Sequence, residues 1–127
     1  MKRLLCATIL AISQCAWAQA QPNEQDCRGL LGILPTFQIP EMKVYYESNP
    51  NASGKDMVQK LRSLAEAGDK TAQFTYGNLL LTGYCVPQDF CAARKYREQS
   101  RGGAMDWEAI YPIPRYLRKK YDDAVCN

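Results

Sequence analysis

The chain has 127 residues, with 16 basic against 13 acidic side chains, six cysteines and no histidine. Without histidine it lacks the usual general base, the Ser-His and Cys-His nucleophile pairs and most catalytic zinc sites. Its net charge of +3, which falls to about +1 once Lys2 and Arg3 are removed, gives no concentrated basic stripe of the kind that binds nucleic acid by counterion release.

Residues 1–20 read as a secretory signal peptide. Lys2-Arg3 is followed by an apolar run from Leu4 to Ile12, then by small residues at alternate positions in Ala16-Trp17-Ala18-Gln19-Ala20. Cleavage after Ala18 or Ala20 satisfies the small-x-small rule. A lipoprotein reading through Cys15 is weakened by the large Gln14. The apolar run falls short of the roughly 20 residues that a membrane-spanning helix needs. An exported chain is therefore expected, with neither a nucleic-acid partner nor a membrane span.

Residues 21–54 are expected to form an extended N-terminal arm and loop. Gly29, Gly32, Pro35 and Pro40 punctuate the apolar stretch from Leu30 to Ile39, and Glu41 to Glu47 fits a short helix or a strand equally well. Ser48-Asn49-Pro50-Asn51-Ala52-Ser53-Gly54 is dense in turn formers and is the clearest loop. Asn51-Ala52-Ser53 is also formally a glycosylation sequon.

From residue 55 to 127 the pattern becomes helical. Met57, Val58, Leu61, Leu64 and Ala65 share one face at spacings of three and four, and Gly68 ends that helix. Two helices follow, near Thr71–Thr82 and Gln88–Arg101. Small residues at Ala72 and Gly77 permit close approach, while Tyr76, Leu79 and Leu80 supply apolar contact. Gly83 stops the first helix, Val86-Pro87 turns the chain, and Asp89 caps the second. Ala104 to Tyr111 starts another helix, which Pro112 and Pro114 must interrupt. Arg115 to Ala124 resumes it, with Tyr116, Leu117, Tyr121 and Val125 available for packing. The basic cluster of Arg115, Arg118, Lys119 and Lys120 reads as a solvated helical face.

The hairpin at residues 72–103 resembles the Sel-one-like repeat, a relative of the tetratricopeptide repeat. Ala72, Gly77, Leu80, Gly83, Val86, Pro87, Asp89, Ala93 and Tyr96 carry the resemblance. Four departures stand against it: Cys85 where the turn prefers glycine, Arg97 for tyrosine, Ser100-Arg101 for a pair of alanines, and an early break at Gly102-Gly103. The resemblance implies an all-α fold, a short α-α superhelix with flanking helices, and protein binding without a common chemistry. By analogy with the tetratricopeptide groove, Phe74, Asn78 and Leu81 are expected on the concave side. Tyr84 and Trp107, outside the repeat core, are further candidate partner contacts, with packing as the competing reading for each.

Outside the signal, Cys27, Cys85, Cys91 and Cys126 form an even set, which in a small exported chain reads as two disulfides; a four-cysteine zinc site is the rival. Cys85–Cys91 stapling the turn and Cys27–Cys126 joining the ends is the expected pairing of the three possible. No catalytic residue, metal or cofactor is expected. Glu66, Asp69, Asp106 and Glu108 bracket helix ends, where acids cap or are solvated, although a small cell-wall hydrolase would need such carboxylates. The resemblance extends to small periplasmic repeat proteins that act as immunity partners of type VI secretion effectors. The expected function is thus toxin neutralisation, with a structural adaptor of an envelope or secretion complex as the alternative.

Overall fold

The computed structural model describes residues 24–33 and 39–127; the signal peptide expected at 1–20 lies outside them. Among the described residues the fold is all-α: seven helices, no strand and two disulfides. Helix α4 (Lys70–Thr82) is its axis. Residues Ala72, Gln73, Phe74, Tyr76, Gly77, Leu79, Leu80 and Leu81 are all buried, so this helix is covered nearly all round, as only a central element can be. Asp69 starts it by accepting from the Ala72 amide at 2.8 Å. Gly83 ends it in the left-handed region at φ 74°, returning its amide to the Leu79 carbonyl.

Helix α5 (Phe90–Gln99) runs back along α4. Asp89 caps it through the Ala92 amide at 3.0 Å, as the sequence pattern required. The two helices approach most closely at Gly77, where a β-carbon would stand 2.9 Å from Arg97 Cγ and 3.3 Å from the Ala93 carbonyl oxygen. Tyr76 and Tyr96 pack edge to face, with ring centroids 4.9 Å apart.

Helix α3 (Gly54–Glu66) covers another flank of α4. A reciprocal pair fixes its start: Ser53 Oγ accepts from the Asp56 amide, and the Asp56 carboxylate accepts from the Ser53 amide. Met57, Leu61 and Ala65, four apart, form its buried stripe.

Within the arm expected at residues 21–54, Glu24–Ile33 and Pro40–Ser48 are instead helical, while residues 49–53 form the loop expected there. Helix α1 (Glu24–Ile33) packs on α3, and α2 (Pro40–Ser48) packs on both. Cys27 and Leu31 are one turn apart and both buried, so tertiary packing overrides the glycine punctuation. Pro40 does not break α2 because it occupies the first turn, where its missing N–H has no helical partner to lose. Ile39 and Met42 pin that turn to the core with no exposed surface.

The helix expected over 104–111 shrinks to one turn, α6 (Trp107–Ile110), capped by Asp106. Pro112 and Pro114 then separate it from α7 (Arg115–Asp123), which rests on α5 and α4. Leu117 and Tyr121 anchor α7 as expected. Tyr116 and Val125 do not pack; they are 75% and 90% exposed.

All four cysteines pair, but not as the chain ends suggested. The bonds are Cys27–Cys85 and Cys91–Cys126, with Cα separations of 5.7 and 5.5 Å. Because α1 is a docked helix and not a free arm, Cys27 lies beside the hairpin turn. Because α7 packs on α5, the C-terminal residues run to Cys91 at the start of that helix. The thiols are consumed pairwise, which leaves no four-cysteine zinc site. No helix among the described residues is long and apolar enough to cross a membrane. The disulfides fit an oxidising compartment.

Candidate protein-binding groove

Three of the five expected partner contacts converge. Asn78, Leu81 and Tyr84 border one groove of about 660 Å³ between the end of α4 and the Ile110–Tyr116 segment. Its far wall is Ile110, Tyr111, Pro112, Pro114 and Tyr116, and no lining residue is charged. Ile110 is 46% exposed and Tyr111 54%, and with Tyr116 they line the groove with three uncovered large side chains.

Phe74 and Leu81 do not face outward as the concave-groove analogy expected. They are only 4% and 1% exposed: the Trp107 and Tyr111 rings cover Phe74, and Leu81 lies at the bottom of the groove. Phe74 instead founds an aromatic stack. Trp107 lies over it at 6.2 Å between centroids, and Tyr111 stacks on Trp107 at the same distance. Trp107 thus holds the groove wall in place and is itself half-buried. Leu81 contributes floor, Asn78 a polar edge and Tyr84 a rim.

Arg97 backs the stack from below. Its guanidinium lies 4.7 Å from the Phe74 centroid and donates through Nη1 to Asn78 Oδ1. Burial holds this cation below the usual arginine range, against the favourable fields of Tyr121 and Glu108. Its Nε has no partner among the described residues. Sequence reasoning noted Arg97 only as a departure from a tyrosine. Its place one turn after Ala93 and next to Tyr96, on the face α5 buries, was the signal for a buried polar key.

A larger cavity, about 1000 Å³, lies between α3 and the hairpin turn. Three of its polar side chains are already engaged: Arg62 with Glu66 at 2.9 Å, Gln88 with the Leu81 carbonyl at 3.0 Å, Thr82 with the Asn78 carbonyl. The smaller groove is the better candidate because its apolar side chains are uncovered and its amide is not fully used. The four carboxylates considered for hydrolysis each have a partner within the fold. Asp69 and Asp106 cap helices, Glu66 pairs with Arg62, and Glu108 pairs with Arg101 at 3.2 Å, raising the Arg101 pKa through that hydrogen bond.

Among the described residues the fold is all-α and disulfide-stapled, with an uncovered aromatic groove beside its central helix. No protein-family model matches it, and neither does any curated protein or solved structure compared with it.

Proposed function

We propose that this chain is a periplasmic protein-binding module whose task is to neutralise a secreted toxin of the type VI kind, with the hairpin α4–α5 as a single Sel-one-like repeat. The observation that carries the reading is the charge-free groove with Ile110, Tyr111 and Tyr116 left uncovered beside a helix covered nearly all round. Aromatic side chains of this sort supply rigid contact area at interfaces. Two disulfides support passage through an oxidising compartment, and residues 1–20 supply the export signal. Use of all four acidic candidates as caps or ion-pair partners supports a binder over a hydrolase.

One closed hairpin offers a single compact face, whereas general adaptors stack several repeats to build an extended surface. That favours one dedicated partner over an envelope scaffold.

The test is a competition assay with a deletion strain exposed to toxin-delivering kin, complemented in trans. Wild type restores survival; Tyr116→Ala with Ile110→Ser does not, although its circular dichroism is unchanged, and affinity capture loses one dominant protein. Equal survival with and without the gene overturns the immunity reading. An adaptor would instead show loss of an assembled envelope complex.

A further inference from the structure

Asn78 is the side-chain amide of the groove, and its oxygen is already committed. Arginine carries only donors, so the atom facing the Arg97 guanidinium must be Oδ1 and not the amino group. The planar carboxamide then holds Nδ2 on the side away from Arg97. Neither of its N–H groups meets an acceptor among the described residues, and Nδ2 is not among the buried atoms left without a partner. Two donors of fixed direction are therefore presented in a groove whose other polar side-chain groups are hydroxyls.

The second observation lies on α7. Arg118 and Lys119 are paired with Asp122 and Asp123 at 2.9 and 2.6 Å. Lys120 meets no carboxylate among the described residues and stands one helical turn beyond Tyr116, on the same face. A free cation thus flanks the apolar rim.

We infer that the groove takes an extended segment of a partner protein, with a main-chain carbonyl on the Asn78 amino group, an apolar side chain between Tyr84 and Tyr116, and an acidic side chain on Lys120. This rests on the protein-binding reading above. A partner helix is disfavoured because its carbonyls are satisfied internally, whereas an extended chain leaves them free to accept. The acid follows from charge complementarity at the Lys120 rim.

Asn78→Asp separates recognition from folding. The carboxylate still accepts from Arg97 and adds an ion pair, but it cannot donate. Random dodecapeptides displayed on phage are selected against the disulfide-bonded chain, and enriched sequences are synthesised and measured by fluorescence polarisation. Enriched peptides carry Asp or Glu near an apolar residue. Asn78→Asp weakens them at least tenfold with an unchanged or higher melting temperature. Lys120→Glu weakens them severalfold, and a Glu→Lys change in the peptide recovers the loss. Binding that survives Asn78→Asp but falls with Tyr116→Ala overturns the donor assignment and leaves the groove standing. Failure to enrich any peptide, while the native partner is still captured, overturns the extended-segment inference alone. A self-associating chain whose dimer Asn78→Asp dissociates overturns the choice of partner.

Discussion

Arg97 is a buried cation without a carboxylate in contact. It trades hydration for one hydrogen bond to Asn78 and the face of Phe74, an arrangement that contributes more to position than to net stability. Arg97→Met keeps the stem's packing and removes the desolvated charge, so it should lie within about 1 kcal/mol of wild type. Arg97→Ala opens a cavity between α4 and α5 and should cost about 3 kcal/mol. Urea unfolding of both variants checks the ordering; equal losses would mean that the charge itself is indispensable. Tyr76 gives a pH signature at the same scale. Burial raises its phenol above the ordinary value, while Arg62 pulls the other way. A raised acid means that the folded state holds its proton more tightly than the unfolded chain. The stabilisation is therefore complete below about pH 10 and is lost as pH rises through the folded value. Tyr76→Phe should flatten this alkaline loss in melting curves taken from pH 8 to 11, and an unchanged slope refutes the assignment.

Between elements, the decisive contact is Gly77 on the α5 backbone. A methyl group there meets Arg97 Cγ at 2.9 Å and the Arg97 amide nitrogen at 3.2 Å, and a backbone atom cannot rotate away as a side-chain end can. Gly77→Ala should cost about 1–3 kcal/mol, read as a lower denaturation midpoint with unchanged slope. A neutral result would show that the hairpin can spread. This pairing was legible in the sequence because small residues, caps and stop signals act locally: Asp69, Gly83 and Asp89 do what their positions announce. Helices α1 and α2 were not legible. Their helicity comes from burial of Cys27, Leu31 and Met42 against α3, a long-range gain that the glycines and prolines nearby conceal. The groove was half legible. Asn78, Leu81 and Tyr84 were placed by hairpin geometry, but Phe74 was assigned outward because its cover, Trp107, arrives from a turn more than thirty residues on. Tyr116 was missed as a surface residue because helical spacing alone does not say which face α7 turns to α5.

At the scale of the whole molecule, the two disulfides close loops spanning sequence separations of 58 and 35 residues and tie opposite flanks to the hairpin. Each should contribute on the order of 4 kcal/mol in the chain-entropy account. Their local consequences differ. Cys27–Cys85 fastens α1 to a turn residue held at φ 66°, in the left-handed region that favours glycine, so the bond keeps a non-glycine residue in a costly conformation. Cys91–Cys126 fastens the end of α7, whose Tyr116 forms a wall of the groove, to α5, assisted by Arg94 donating to the Tyr121 and Ala124 carbonyls. Paired serine substitutions should therefore loosen the groove from two different sides. Loss of Cys27–Cys85 should raise amide exchange in α1 and weaken binding through the Leu30 and Tyr84 side of the groove. Loss of Cys91–Cys126 should raise exchange in α7 and weaken binding severalfold, since the groove wall is no longer held. Recovery of Cys27–Cys85 and Cys91–Cys126 as linked peptides from unreduced digests is the prior check. Recovery of Cys85–Cys91 would refute the arrangement, because it would leave α1 and the α7 terminus without their covalent anchors.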